Sequence, residues 1–238
     1  TELSSSVLVH SWEEFSAERD ADLDEFFRVC GFDEAAPFYT YNGRDGAPQL
    51  VLYYDAQEQR GVGVRYEYDP GGRVCRGFGF ETLAPAEEEA RWSRWEADYT
   101  AVPELDSQIE VEEYRTETVR DGQGRMTVFR SYGVLEDVAG LDEREEERIF
   151  SADYEYDADG VLRRRQFGQT QKLFPSSDSS WDSYFDGQGR VCYEHGYHTH
   201  GGQEYYYIYA GKEEAPAYCL YLDNDCGYYT GEFVRVPE

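Results

Sequence analysis

At 238 residues the chain is long enough for one large domain or two small ones, either with a real core. Its 50 acidic residues outnumber 22 basic ones, and the formal charge of −28 repels phosphate backbones and anionic lipid headgroups. Nucleic-acid partners and membrane insertion are therefore not expected, and no apolar run approaches the roughly 18 residues of a transmembrane helix.

The low mean hydropathy, −0.77, would suit a disordered chain, but 22 Tyr, 13 Phe and 4 Trp do not. Tyrosine packs its ring while leaving its hydroxyl wet, so a folded protein with a thin, amphipathic core is expected. The five cysteines, Cys30, Cys75, Cys192, Cys219 and Cys226, form no C-x-x-C pair. Half-buried thiols are the expectation, with a Cys219–Cys226 bridge across a hairpin as the alternative. The chain opens Thr1-Glu2-Leu3-Ser4-Ser5-Ser6 without a methionine, which fits a mature protein whose export signal has been trimmed.

The first elements read as helical. Ser11-Trp12-Glu13-Glu14 has the form of a capping box, and Trp12, Phe15, Leu23, Phe26, Phe27 and Cys30 follow on one helical stripe before Gly31. One helix or two short ones are predicted from Ser11 to Cys30. From Phe38 the period changes to two. Strands are predicted over 49–55, 63–69, 73–82, 108–121, 125–134, 148–157, 161–168, 181–186, 190–200, 204–210, 217–223 and 228–236, rich in Tyr, Val and Phe and bounded by Asp/Gly turns. Residues 84–96, with Pro85 and a Glu run, read as a short helix or lid, and 171–180 as a loop. The change of period divides the chain into a helical cap, 1–36, and a β-hairpin repeat domain, 37–238. The predicted fold is mainly β: an antiparallel meander of hairpin repeats, twisted open or partly closed.

A short motif recurs. Tyr66-Glu67-Tyr68-Asp69-Pro70-Gly71-Gly72-Arg73-Val74, Tyr154-Glu155-Tyr156-Asp157-Ala158-Asp159-Gly160-Val161-Leu162 and Tyr184-Phe185-Asp186-Gly187-Gln188-Gly189-Arg190-Val191 are copies. Arg120-Asp121-Gly122-Gln123-Gly124-Arg125-Met126 is a fourth without the aromatic, and Tyr53-Tyr54-Asp55 and Tyr221-Leu222-Asp223-Asn224-Asp225 are degenerate forms. In the four clear copies a strand, aromatic in all but the fourth, ends at an Asp whose carboxylate can accept the turn's own N–H groups. Three residues on, Gly supplies positive φ for a type I turn with a G1 bulge. Asp69, Gly72, Asp121, Gly124, Asp157, Gly160, Asp186 and Gly189 are thus assigned to turns, and Cys75 and Cys192 fall at one repeat position.

The Tyr/Phe-Asp-x-x-Gly-Arg-Val/Met pattern, between Tyr53 and Tyr229, resembles the YD repeats of Rhs-type toxin shells and teneurins. The resemblance implies hairpin architecture and a bacterial or surface-associated setting. In that family the repeats spiral into a closed shell, and carbohydrate binding is attributed to some members. This chain is too short for a full shell, and the resemblance transfers no catalytic residue.

Three candidate sites remain. His195, His198 and His200 lie within six residues, and in a strand His198 and His200 share a face, as two ligands of one metal would, with Glu194 or Glu204 as an added carboxylate and Cys192 near in sequence. The simpler reading is an exposed polar strand. Trp181, Tyr197, Tyr205, Tyr207 and Tyr209 form a candidate aromatic platform whose rings suit sugar faces, although cross-strand pairing is the commoner use of such residues. Glu155–Gly160 and Asp223–Gly227 resemble fragments of calcium loops, but the first lacks its acidic twelfth ligand, the position being Gln166. No catalytic framework and no cofactor motif is present.

The leading expectation is a non-catalytic binding or structural protein of the bacterial envelope or exterior, with a carbohydrate or a protein as ligand. The alternatives are an acidic inhibitor or immunity-type protein that masks a basic partner, cytoplasmic in that case, and a metal-dependent hydrolase built on His195–His200.

Overall fold

The computed structural model describes residues 8–11, 19–32, 37–58, 60–69, 72–80, 83–85, 98–101, 111–135, 147–169, 180–198, 201–225 and 228–235. The first elements are β1 (Leu8–Ser11), α1 (Arg19–Cys30), β2 (Tyr39–Asn42), β3 (Pro48–Asp55), β4 (Arg60–Asp69), β5 (Gly72–Phe80) and β6 (Leu83–Pro85). There follow β7 (Val111–Arg120), β8 (Met126–Leu135), β9 (Glu147–Tyr156), β10 (Leu162–Gln169), β11 (Ser180–Phe185) and β12 (Val191–His198). The last are β13 (Gly201–Ile208), β14 (Tyr218–Asp225) and β15 (Tyr228–Arg235). The protein is mainly β, built of antiparallel hairpins with one short N-terminal helix, and among the described residues no sheet closes into a barrel. The chain divides into two compact units, Thr1–Trp92 with Gln203–Glu238, and Ser93–Gly202.

In the first unit, β1-β5-β4-β3-β2 form one five-stranded sheet. Strand alternation sends Val51, Val62, Val64, Tyr66 and Cys75 to one face, where Phe26 and Phe32 seal them from water. Leu23, Phe27 and Cys30 of α1 pack on the same cluster, so the i, i+3, i+4, i+7 stripe is the helix's docking face. Burying a ring such as Phe26, 1% exposed, contributes about 2–3 kcal/mol. The opposite face carries Leu50, Leu52, Phe78 and Phe80, all at most 2% exposed. The β14–β15 hairpin covers it: the Phe80 and Phe233 rings lie 5.2 Å apart, and Tyr54 and Phe233 5.8 Å. Phe78 and Phe80 stand directly opposite Gly63 and Gly61, and their rings lie over those glycines; a methyl on Gly63 would fall 2.0 Å from Phe78 Cζ.

Helix α1 ends as expected at Gly31, φ +64°, in a Schellman turn. The Phe32 N–H donates to Phe27 O (2.9 Å) and the Gly31 N–H to Arg28 O (3.1 Å). Arg60 reaches over from β4 and donates to Cys30 O (3.2 Å) and Gly31 O. The beginning of the helix differs from the sequence reading. It starts at Arg19, and Ser11 closes β1, paired with Arg76 of β5. A capping box is a local preference worth about 1 kcal/mol; the β1–β5 ladder, which a single sequence does not display, overrides it. Trp12, Glu14 and Phe15 lie outside the described residues.

The second unit contains a six-strand meander, β7 to β12, in which each strand pairs antiparallel with the next. All twelve segments expected to be strands are strands, with shifted ends. Three more, β1, β2 and β6, were not legible. They are short, and β6 pairs parallel with β15. Residues 86–96 and 171–179 lie outside the described set.

Candidate functional site

The recurring turns are one device repeated. At 121–125, 157–161 and 186–190 the Gly N–H closes on the Asp carbonyl (Gly124 to Asp121 3.0 Å, Gly160 to Asp157 3.1 Å, Gly189 to Asp186 3.1 Å). These glycines have φ of +83°, +89° and +80°, a region costly for any residue with a Cβ. One carboxylate oxygen of each Asp accepts two backbone N–H groups. For Asp186 the donors are Gln188 (2.8 Å) and Arg190 (3.0 Å), for Asp121 they are Gln123 (2.8 Å) and Arg125 (3.0 Å), and for Asp157 they are Asp159 (3.0 Å) and Val161 (2.9 Å).

The second oxygen takes an arginine, which the sequence reading did not assign. Arg125 Nε donates to Asp121 (2.7 Å) and Arg190 Nε to Asp186 (2.8 Å), each from the residue after the Gly. In the middle copy that position is Val161, and Arg163 serves Asp157 instead (2.7 Å). The exchange is possible because each returning strand holds a second bulge: Thr127, Arg163 and Cys192 are skipped in their ladders and occupy equivalent sites. At that site Thr127 Oγ1 donates to Val119 O (3.3 Å) and Cys192 Sγ to Tyr184 O (3.4 Å). Cys192 therefore does the work of a threonine, and burial pushes its thiol pKa up to about 12. Burial likewise raises Cys30, to about 11. The arginine at Asp121 and, for Asp157, chiefly the Val161 N–H followed by Arg163 hold those two carboxyls below the usual aspartate range.

The arginines also link successive tips. Arg125 lies 4.6 Å over the Tyr156 ring, and a methyl on Gly160 would meet its Nη1 at 2.8 Å. Arg163 lies alongside Gly187 in the same way. The hairpin between β2 and β3 repeats the device without an aspartate. Gly43 N–H donates to Ala47 O (2.8 Å), Gly46 has φ +81°, and Gln49 is the skipped residue. With Gly43 in the Asp place, the motif left no trace in the sequence. Asp55 behaves as a turn residue, accepting the Gln57 N–H (2.9 Å). The first copy is tighter, since Asp69 pairs directly with Gly72. Asp223 lies within β14, opposite Thr230, so the last degenerate copy is not a turn at that residue. Cys219 is buried in β14 opposite Val234 and forms no disulfide, against the alternative of a bridge to Cys226.

The candidate aromatic residues separate. Trp181 stands opposite Gly196 on one face of the second unit, its ring over that glycine, and its Nε1 donates to Glu194 (3.1 Å). Glu194, 2% exposed, also accepts from Ser183 Oγ (2.9 Å) and Tyr99 OH (3.1 Å), so Trp181 belongs to a buried network. Tyr197 lies on the other face, 51% exposed. In the first unit Tyr205 and Tyr207 are buried with stacked rings 6.4 Å apart, and Tyr209 is half-buried beyond the end of β13. Between Tyr205 and Tyr207, Tyr206 points the other way. Its hydroxyl donates to Glu204 (2.7 Å), which also pairs with Arg65, and its ring meets Tyr41 at 5.2 Å. Glu194 and Glu204, which the sequence offers as carboxylates to join the histidines, are instead each buried among hydrogen-bond partners of their own.

His195 shares the face of Tyr197, with ring centroids 4.0 Å apart, and stacks on Tyr193 at 6.2 Å. Asp182 stands directly opposite His195, and Arg164 bridges Asp182 and Glu155, each at 3.1 Å. By strand alternation position 198 falls on the other face of β12, and His200 lies outside the described residues. Among the described residues no cluster of three or more His, Cys, Asp or Glu is arranged to hold a metal ion. Nor is any helix long and apolar enough to cross a membrane. No family profile matches the chain, and no curated protein matches it either.

Proposed function

We propose that the chain is a non-catalytic binding protein of the bacterial cell envelope or exterior that takes a carbohydrate at the exposed Tyr197 end of the β10–β12 face. The observation behind this reading is the row Tyr193–His195–Tyr197 beside Asp182, Glu155 and Arg164. An exposed Tyr197 ring packed on His195, with the Asp182–Arg164–Glu155 charge cluster further along the same face, suits a sugar, whose apolar face stacks while its hydroxyls find charged hydrogen-bond partners. The carboxylates of Asp121, Asp157 and Asp186 are already occupied by backbone N–H groups and arginine, so they are turn residues rather than ligand contacts. The likeness of the motif to YD repeats points the same way. A glycan array followed by titration of the best ligand tests it. Tyr197→Ala is expected to abolish binding while leaving the fold intact; an array without hits, or binding untouched by Tyr197→Ala, refutes it.

The charge of −28 favours a second reading, an acidic inhibitor that masks a basic protein. Its signature is tight, salt-sensitive capture of one cationic partner at low salt, and an empty pull-down under those conditions rejects it.

A further inference from the structure

Strand β7 ends the meander of the second unit: among the described residues it pairs only with β8. Its residues Arg115 to Arg120 are all exposed, so this end of the sheet is open. The direction of its outer hydrogen-bonding groups follows from the adjoining turn. Asp121 gives its N–H to Arg125 across the hairpin. Along an antiparallel strand these groups alternate, so Arg120, Thr118 and Thr116 direct N–H and C=O away from β8. An exposed edge of this kind is a template for another strand, and proteins normally blunt it with charge, proline or bulges.

What charge does here depends on the arriving strand. Val111-Glu112-Glu113-Tyr114-Arg115-Thr116-Glu117-Thr118-Val119-Arg120 carries opposite charges on either side of Thr116. If a second copy of β7 is laid antiparallel about a two-fold axis at Thr116, each Arg115 faces the other chain's Glu117. Arg115 and Glu117 already pair within one strand, on one face, so the two copies would form a closed square of alternating charges. The Thr116 residues, whose outer groups point at one another, would exchange both backbone hydrogen bonds. Centring the pair on Thr118 instead sets Glu117 against Val119 and Arg115 against Asp121, which Arg125 already holds. Centring it on Tyr114 would set Glu113 against Arg115, but β7 is irregular between Glu112 and Arg115, so Thr116 is the centre at which opposite charges meet on regular strand.

We propose that β7 is a homodimerisation edge, pairing antiparallel with β7 of a second copy about Thr116. The occupant is a copy of this chain rather than an unrelated peptide because the charge order of β7 is its own complement. A two-fold contact uses the same patch twice and closes on itself, which ends the assembly at two. Self-repulsion of a molecule this acidic opposes the contact at low salt. Near physiological ionic strength the distant charges are screened over about 8 Å while the adjacent pairs are not.

The test is sedimentation velocity of the full chain at near-physiological salt over a wide concentration range. The wild type is expected to show a monomer–dimer equilibrium. Thr116→Pro removes an N–H that makes no bond to β8, so the monomer should keep its circular dichroism spectrum while the dimer weakens by at least about tenfold. Arg115→Glu should weaken it comparably, and Arg115→Glu/Glu117→Arg should restore it, since reversing both charges rebuilds the square. A wild type that stays monomeric, a dimer indifferent to Thr116→Pro, or a double reversal no better than the single variant each overturns the proposal.

Discussion

The turn at 186–190 offers the sharpest test of why these hairpins exist. Asp186 Oδ1 accepts two backbone N–H groups and Oδ2 accepts Arg190 Nε, with the Asp and Arg side chains 24% and 17% exposed. A net hydrogen bond of this type contributes about 1 kcal/mol, and a partly exposed ion pair about 0.5–1 kcal/mol. Asp186→Ala loses all three interactions and should cost about 2–3 kcal/mol. Asp186→Asn keeps the Oδ1 acceptor and loses the charge, so about 1 kcal/mol is expected. Arg190→Ala should cost a similar amount, and it should not add to Asp186→Asn, since both remove the same contact. Urea denaturation measures the totals. Hydrogen exchange at the Gln188 and Arg190 amides reports locally, and both should exchange faster in Asp186→Ala than in Asp186→Asn. If the alanine and asparagine variants are equally stable, the carboxylate does not hold the turn and the account of the repeat fails.

Three further outcomes are expected. Asp157 sits below its ordinary pKa when folded, so its contribution is complete above the usual aspartate range near pH 3.9 and is lost as pH falls through the lowered folded value; Asp157→Asn should flatten the acid limb of a stability–pH curve, and an unchanged limb contradicts the assignment. Cys75 and Cys219 are buried and Cys30 and Cys192 have raised pKa values, so all four thiols should resist a disulfide reagent at pH 8 until the chain is unfolded; fast modification of Cys192 in the native state would show its bulge to be open. Gly196→Ala places a methyl 2.0 Å from Trp181 Cζ3, and Gly63→Ala one as close to Phe78 Cζ, so each should cost about 1–3 kcal/mol in denaturation experiments; a neutral result at either would mean the ring is free to move aside.

Much of the architecture was legible because it is written locally. A strand ending at Asp, a Gly three residues later and a returning Val, Leu or Met contain everything a hairpin needs, which puts Asp121, Asp157 and Asp186 at tips. The helical stripe from Leu23 to Cys30 and its stop at Gly31 were legible for the same reason, the period of one element against a sheet.

Other features depend on residues distant in sequence, and only the tertiary structure decided them. Ser11 became a strand end because β5 had a free ladder beside it, and the β2–β3 turn keeps the shape of the repeat with glycine in place of its aspartate. The middle copy's arginine came from Arg163 because a second bulge turns that residue toward the tip. Trp181 and Tyr197, both aromatic and both on the same hairpin, were separated by strand parity onto opposite faces, one tied to a buried glutamate and one left to the solvent. Spacing along a chain sets which face a residue takes within its own element; which face is buried, and by what, is settled by partners that arrive from elsewhere in the sequence.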